Sequence, residues 1–269
     1  MKYTRIAAGF KNSAFITTEN KVVAYGDNKD RQCDVNYWSD IVSLAVGKAH
    51  IGSSHTVGLK EDGSVLAVGW NKYEQCNVAD WFDIKNITAG WRRTLGLKKD
   101  GSVIATGRNN DGECNVSNWS NIIDIAAGDW HTIGLRNDGT LVATGNNVYK
   151  QCNVDSWSKI IAVDAGYLHT IGLKEDGSVV ATGQNNYGQC NISDWRDVIS
   201  IKAGTAHTIA LKSDGTLLSA GWNEHNQCNI DNWSDIIEIS AGCYHTLGLK
   251  KDGTILSTDN NDYNKSKTV

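Results

Sequence analysis

The side chains in this sequence that could do chemistry are histidines and cysteines that recur at fixed positions. Five histidines stand in one register, each followed by threonine: His55, His131, His169, His207 and His245. Imidazole is a common zinc ligand, but a zinc site usually takes its ligands at short spacings or from a Cys-x-x-Cys pair, and neither is present. If each histidine belongs to a separate repeat of the chain, it would also lie far from the next one. The pattern therefore predicts histidines that form structural hydrogen bonds.

Cysteines mark a second register, within Gln-Cys-Asn-Val or a variant of it. The six are Cys33, Cys76, Cys114, Cys152, Cys190 and Cys228. Thiols on separate units of a ring lie too far apart for a disulfide. We therefore expect reduced cysteines, mostly buried as small apolar residues, in a cytoplasmic protein.

The rest of the sequence gives no positive case for an enzyme. No Ser, His and Asp set stands out from the repeating pattern, and no glycine-rich segment opens a helix that could bind phosphate. The net charge of −4 supplies no basic field for nucleic acid. No apolar run is long enough to span a membrane, and the first residues lack the apolar core of a signal peptide. We expect no catalytic residue, no metal, no cofactor, no nucleic acid and no membrane partner.

These residues recur because nearly the whole chain is a repeat of 38 residues. Asp-Gly pairs from Gly63 to Gly253 keep this step, as do tryptophans from Trp81 to Trp233. A period of roughly 20–50 residues is typical of solenoids, propellers and arrays. The tryptophans are nearly invariant between repeats, so we expect them, together with Trp38, to pack between repeats.

One repeat shows the local structure. Within residues 121–157, β-branched segments at 122–127, 131–135, 141–144 and 151–154 predict four short strands. Asn137-Asp138-Gly139 supplies residues that tolerate positive φ in a tight hairpin. No segment keeps a helical period. Because four short strands cannot bury both faces alone, the repeats must stack on one another.

Seven Ala-Gly or Val-Gly doublets set the number of repeats. They end at Gly9, Gly47, Gly90, Gly128, Gly166, Gly204 and Gly242. The count favours an all-β, seven-bladed β-propeller that forms a single domain over residues 1–269, with a divergent first repeat and a last repeat that degenerates past Asp259. An open β-solenoid is the alternative. The final strand either completes its own blade or pairs with the first.

The repeat resembles that of a known family. The motif is Gly-x-x-His-Thr-x-Gly-Leu-Lys-x-Asp-Gly-Ser/Thr-Val followed by Gly-x-Asn-x-x-Gly-Gln, with good copies at 166–179 and 183–189. It resembles the regulator of chromosome condensation repeat superfamily. The short repeats are similar to compact bacterial members such as the propeller-type beta-lactamase inhibitory protein. The resemblance implies a seven-bladed propeller. The eukaryotic namesake is a small-GTPase exchange factor that binds chromatin, but this chain lacks a long wedge-like insertion and a basic tail.

The repeats differ from one another mainly in two loops, which follow the first and third strands. In an up-and-down meander these loops share one face, and variable loops on a rigid scaffold usually carry binding. Aromatic and arginine side chains, which dominate protein interfaces, are concentrated there. The predicted partner-binding residues are Trp70, Tyr73, Trp91, Arg92, Arg93, Arg108, Trp130, Tyr149, Tyr167, Tyr187, Trp222 and Tyr244.

An insertion of five residues between Gly47 and His55, around His50, breaks the period on the same face. It is either a neutral slip, since loops accept insertions at low cost, or a contact loop.

We therefore expect a monomeric, non-enzymatic scaffold that binds a partner protein through this face. One alternative is an enzyme inhibitor resembling the beta-lactamase-inhibiting propeller. A carbohydrate-binding propeller is a second, although a lectin usually repeats its site in every blade. Small-GTPase exchange is the least favoured.

Overall fold

The computed structural model describes residues 1–48, 52 and 54–258, and over these residues the chain is all-β. Its strands form seven three-stranded antiparallel sheets, each built from consecutive strands. The sheets are arranged as the blades of a seven-bladed propeller, which confirms the predicted fold class.

The strands are grouped by blade, and the first strand of each blade is the innermost. Blades one to four contain β1 (Tyr3–Ala8), β2 (Asn12–Thr17), β3 (Val22–Gly26), β4 (Ile41–Val46), β5 (His55–Lys60), β6 (Val65–Gly69), β7 (Ile84–Ala89), β8 (Arg93–Lys98), β9 (Val103–Gly107), β10 (Ile122–Ala127), β11 (His131–Arg136) and β12 (Leu141–Gly145). Blades five to seven contain β13 (Ile160–Ala165), β14 (His169–Lys174), β15 (Val179–Gly183), β16 (Val198–Ala203), β17 (His207–Lys212), β18 (Leu217–Gly221), β19 (Ile236–Ala241), β20 (Thr246–Lys250) and β21 (Ile255–Ser257).

The Asp-Gly pairs form the hairpins between second and third strands, as predicted. In blade two, Gly63 has φ 86°, a conformation that glycine adopts without steric cost. The Asp62 carboxylate accepts hydrogen bonds from the Ser64 amide at 2.9 Å and from its hydroxyl at 2.6 Å. These aspartates are therefore fully explained by the turn.

The prediction of a fourth strand in each repeat is wrong. The Gln-Cys-Asn-Val segment forms consecutive turns, in which the amide of Val78 bonds to the carbonyl of Cys76 and that of Trp81 to Val78. The Cys76 amide bonds to the side chain of Asn71 at 2.8 Å. Because these donors are satisfied locally, none remains to pair with the third strand.

The repeated tryptophans pack between blades. Trp81 lies in one apolar cluster with Val57 and Leu59 of blade two and with Ile84 of blade three. A side chain on Gly96 would lie within 2.8 Å of the Trp81 ring, so the glycine makes room for the indole. The same Gly–Trp pairing recurs in blades two, four, five and seven.

Main-chain hydrogen bonds close the ring between blades one and seven. The Tyr3 amide bonds to the Gly253 carbonyl at 3.0 Å, and the Cys243 amide bonds to the Gly9 carbonyl at 3.0 Å. The strand β21 pairs with β20 in its own blade. The ring is therefore closed, and the open solenoid is excluded. Residues 259–269, on which the pairing of the predicted last strand depends, lie outside the described residues.

The six repeated cysteines are half-buried, which corrects the expectation that they would be mostly buried. Each lies among loop carbonyls rather than in the apolar core; Cys114, for example, donates to the carbonyl of Arg108 at 3.1 Å. Burial raises the pKa of Cys33 and Cys76 to about 12. None of the seven cysteines forms a disulfide.

We therefore predict that denatured protein alkylated without reductant carries a label on all seven cysteines. In the folded protein, labelling at pH 8 should be slow, because a thiol with a raised pKa is rarely ionised. Mass spectrometry measures both. A disulfide between any two of the six repeated cysteines would contradict the ring geometry.

In the part of the chain described, no helix has the length and apolar character needed to cross a membrane.

Candidate functional site

The histidines form hydrogen bonds between adjacent blades, as predicted. The Nε2 atom of His55 lies 2.8 Å from the Thr94 hydroxyl of the next blade, and His131 lies 2.8 Å from Thr170. His169, His207 and His245 make the same contact, the last with Ser13 of blade one. Asn12 and Arg93 occupy this register in blades one and three. Within the described residues, no group of His, Cys, Asp and Glu is arranged to hold a metal.

The hydrogen bonds show which ring nitrogen of these imidazoles donates a proton, and burial keeps the rings uncharged. The Thr94 hydroxyl donates to the carbonyl of Gln75 at 2.7 Å, so it must accept from the His55 Nε2–H. Burial lowers the pKa of His55 to about 4, and burial followed by the Arg93 charge lowers that of His131 to about 3. His55, His131, His169 and His207 are therefore neutral at physiological pH.

Stability should fall in acid because of these histidines. An unfolded histidine titrates near pH 6.5, so between pH 6.5 and about 4 the unfolded state binds more protons than the folded state. Each buried histidine should then remove up to about 1.4 kcal/mol of unfolding free energy per pH unit. Urea unfolding at pH 7, 6 and 5 measures this. His131→Asn, which copies the residue of blade one, should make the slope shallower; an unchanged slope would contradict the assignment.

Arg93 does not lie on the surface where the sequence placed it. It occupies the histidine register, is only 1% exposed and bonds to blade four. Its Nη1 donates to the Asp129 carbonyl and its Nη2 to the Gly128 carbonyl, both at 2.8 Å. Its Nε donates to the Thr132 hydroxyl at 3.1 Å, and Nη2 also contacts the His131 carbonyl. Arg93 therefore joins blades, and direct contact with a partner is not part of its role.

The two variable loops of each blade lie side by side, as the meander predicted. Backbone bonds join them: the Trp70 amide to the Ser54 carbonyl, Arg108 to Arg92, and Asn146 to Trp130. We call this surface the aromatic face. The Asp-Gly hairpins and the tryptophan connections lie on the opposite face, where the Ile84 amide bonds to the Gly63 carbonyl.

One cluster of the aromatic face is a stack of aromatic and arginine side chains from blades two and three. The Arg92 guanidinium carbon lies 3.6 Å from the centre of the Trp91 ring and 5.1 Å from those of both Trp70 and Tyr73. Arg92 Nη1 also donates to the Tyr73 hydroxyl at 3.2 Å. Cation–π contacts of this kind hold a charged side chain in one orientation.

The stack continues into blade four. Trp91 and Trp130 have ring centres 4.7 Å apart, and the Arg108 guanidinium lies 4.5 Å from the Trp130 ring. Arg108 is paired with Asp111 at 2.9 Å and with the buried carboxylate of Glu113. Three blades thus contribute to one ordered surface.

A second cluster joins blades five, six, seven and one. Trp222 lies 6.0 Å from Tyr187 and 5.8 Å from Tyr244. His225, at the register of Tyr73 in the other loops, lies 4.9 Å from Trp222 and 4.7 Å from Tyr244. Phe10 completes this cluster, 5.6 Å from Tyr244.

A cavity of about 220 Å³ opens between the two clusters. It is lined by Trp130, Asn146, Val148, Tyr149, Tyr167 and Leu168. Tyr149 and Tyr187 are the most exposed of the predicted residues, at 45% and 53%. The structure thus brings eleven of the twelve predicted residues onto the aromatic face, and only Arg93 lies beneath it.

The sequence did not reveal the role of Lys48. Its ammonium reaches across a central channel of about 280 Å³ to Asp164 of blade five, at 3.1 Å, and to the Ala203 carbonyl at 2.9 Å. Burial alone would raise the pKa of Asp164, but the charges of Lys48 and Lys202 and two backbone donors bring it below its ordinary value. The five-residue insertion follows Lys48, but most of it, including His50, lies outside the described residues.

A ring of exposed apolar side chains on the opposite face was also missed. Its members, 46–57% exposed, are Val42, Ile123, Ile161, Ile199 and Ile237. A register shift in each first strand turns this residue outward, for example between Ile122 and Asp124. The sequence did contain a signal for this ring: in the Ile-Ile doublets the second residue is apolar, although the alternation of a half-buried strand would place a polar residue there.

Comparison with known proteins concerns the family of the repeat and the fold of the ring. A family model described as the regulator of chromosome condensation (RCC1) repeat matches residues 41–75, 84–113, 122–151, 160–189 and 198–227, which together make up more than half of the chain. Among curated proteins, no relative matches significantly.

Several solved structures share the fold at low sequence identity. Human WBSCR16 has a TM-score of 0.76 and 18% identity, over 94% of this chain and 88% of that one. Yeast RCC1 (Prp20), solved with Kap60 bound, has a TM-score of 0.66 and 18% identity, over 81% and 69%. The CRINKLY WD40 ectodomain of the Arabidopsis thaliana receptor kinase ACR4 has a TM-score of 0.73 and 16% identity, over 95% and 97%.

Proposed function

Because the chain belongs to the regulator of chromosome condensation (RCC1) repeat family, we propose that it is a non-enzymatic binding scaffold that presents its aromatic face to a partner protein. The observation that carries this proposal is the stack of Arg92 on Trp70, Tyr73 and Trp91. Its side chains come from loops of two blades, and aromatic and arginine residues of this kind dominate protein interfaces.

The ordering of these side chains supports a role in binding. Long side chains lose conformational entropy when a partner immobilises them. Here Arg92, Trp91 and Trp130 are already held by ring contacts in the free protein, so less entropy remains to be lost. A solved relative in fold, yeast RCC1, binds the protein Kap60. A protein partner suits the aromatic face, because aromatic and arginine side chains of the kind found there dominate protein interfaces.

The differences between blades favour one asymmetric partner. The residue that follows Ala-Gly is Trp91 in blade three, Tyr167 in blade five and Thr205 in blade six. A ligand with a repeated chemical unit would be served by repeated loops. A face that changes from blade to blade suits a single folded protein bound in one orientation by a monomeric, cytoplasmic scaffold.

We predict that Arg92→Ala weakens partner binding at least about tenfold, equivalent to roughly 1.4 kcal/mol. The substitution removes the cation from three rings and the donor from the Tyr73 hydroxyl. The partner is first captured from the source cell with the wild-type protein, and the affinity of the purified pair is then measured by calorimetry.

The matched control is Arg196→Ala. Arg196 is an exposed arginine next to Trp195 on the opposite face, where it bonds to backbone carbonyls. It should leave the affinity unchanged. Equal losses in the two variants, or a loss only with Arg196→Ala, would show that the aromatic face is not the binding surface.

A further inference from the structure

We propose that the cavity between Trp130, Tyr149 and Tyr167 is an aromatic cage, an inference that rests on the proposed function. The cage receives an ammonium group from the partner, carried by a lysine or methylated lysine side chain. At about 220 Å³ the cavity lies below the usual 300–1,000 Å³ of small-molecule pockets. It suits one inserted side chain.

The strongest support comes from comparing this cavity with the arginine stack of blades two and three. Three positions correspond in the repeat: Tyr149 stands where Tyr73 does, Tyr167 where Trp91 does, and Leu168 where Arg92 does. Asn146 stands in place of Trp70, and Trp130 supplies the other ring of the cavity. In blades two and three the protein fills the aromatic site with its own cation, Arg92. In blades four and five the shorter, uncharged Leu168 stands at that position, and a cavity remains.

Three other blade pairs do not offer the same opening. At the position of Arg92, blade four has Trp130, which stacks on Trp91, and blade seven has Tyr244, which packs on Trp222. In both, a large ring occupies the space. Blade six has Ala206 there, but Thr205 precedes it, so that site lacks the second aromatic wall.

The side chains of Trp130 and Tyr167, and the backbone of Tyr149, are held in place before any ligand arrives. Trp130 is held by the Trp91 ring at 4.7 Å and the Arg108 guanidinium at 4.5 Å, and its side chain is hydrogen-bonded to Tyr167. The Tyr149 amide bonds to the Gln151 side chain at 2.9 Å. An ammonium group would therefore meet a preformed set of rings, whose faces attract cations.

The charges around the cavity favour a cation over an anion. Asn146, in its wall, donates to the Asp111 carboxylate at 3.5 Å. Burial, and then the charge of Asp129, raise the pKa of the Tyr167 phenol. The carboxylates of Asp111 and Asp129 thus act on two walls of the cavity, Asn146 and Tyr167.

Tetramethylammonium chloride is the direct probe, with tert-butanol as a neutral molecule of similar size. Binding is followed by the indole N–H resonance of Trp130 at constant ionic strength, set with sodium chloride. We expect a saturable shift with tetramethylammonium and at least about fivefold weaker binding of tert-butanol. Equal binding of the two would show a merely apolar cavity and overturn the proposal.

Leu168→Arg tests the comparison with Arg92. The new arginine should fill the cage from within and abolish the tetramethylammonium shift. Because Leu168 is buried, Tyr149→Ala is a second variant that removes an exposed wall and should give the same loss. Tyr187→Ala, at the equivalent position one blade away, should bind the probe normally. Undiminished binding in Tyr149→Ala would contradict the cage.

Partner binding separates this proposal from the one it rests on. If Arg92→Ala weakens the partner and tetramethylammonium does not bind, the scaffold function stands and the cage is wrong. If the probe binds but the partner is insensitive to Arg92→Ala, the aromatic face is not the partner surface, and the cage as a partner site fails with it.

Discussion

Trp91→Ala is expected to weaken partner binding at least about tenfold, or roughly 1.4 kcal/mol, with little change in the melting temperature. The Trp91 ring lies between Arg92 at 3.6 Å and Trp130 at 4.7 Å, so its loss releases both neighbours. Truncated interface anchors typically cost about 2–4 kcal/mol. Calorimetry of the captured pair, with thermal unfolding of the variant alone, measures both effects.

Trp157→Ala is the matched control and should behave in the opposite way. Trp157 packs against the cluster of Ile133, Leu135 and Ile160 between blades four and five, with its ring against Gly172. Removing a large ring from such a site costs about 3 kcal/mol or more. It should lower the melting temperature and leave the affinity of the folded protein unchanged. If Trp157→Ala abolishes binding without loss of stability, the functional surface is the opposite face.

Arg93→Ala is expected to destabilise the protein by about 3–5 kcal/mol, the range for a large buried side chain truncated to alanine. The substitution leaves the buried carbonyls of Gly128 and Asp129 without the guanidinium donor, whereas the His131 carbonyl keeps its bond from the Gly128 amide at 3.0 Å. It also opens a cavity between blades three and four. Relief of the cost of burying a charge offsets part of this loss. Urea unfolding at pH 7 measures the difference.

Arg93→His distinguishes the role of the position from that of the charge. Five other blades carry histidine in this register, and His55 shows that the ring reaches the threonine of the next blade at 2.8 Å. The histidine variant should therefore regain most of the lost stability. An Arg93→Ala protein as stable as the wild type would contradict the structural role of the guanidinium.

The fold followed from the sequence because the repeat supplies the same information seven times. The Ala-Gly doublets counted the blades, and the Asp-Gly pairs located the hairpins. The meander then determined that the loops containing Trp70 and Trp91 share a face. Their stacking on Arg92 depends on side-chain contacts between blades, which a repeat pattern does not specify.

The failures have two physical origins: a turn satisfied the backbone of a segment with a strand-like pattern, or the partner of a side chain was distant in the chain. Cys76 follows a β-like pattern, but the Asn71 side chain takes its amide. Arg93 was assigned with Arg92 to a variable loop, although it begins a strand and bonds to blade four. Lys48 reaches a carboxylate 116 residues away. Local sequence carries no signal for that contact.

The most direct test of the central claim is photo-crosslinking in the source cell. A photoreactive phenylalanine replaces one exposed aromatic residue at a time: Tyr149 or Tyr187 on the aromatic face, and Tyr37 or Phe82, 70% and 64% exposed, on the opposite face. All four are exposed, so the substitutions should leave the fold intact. We predict that positions 149 and 187 crosslink to the same partner protein and that positions 37 and 82 do not. A partner crosslinked only from positions 37 and 82 would contradict the assignment of the aromatic face as the binding surface.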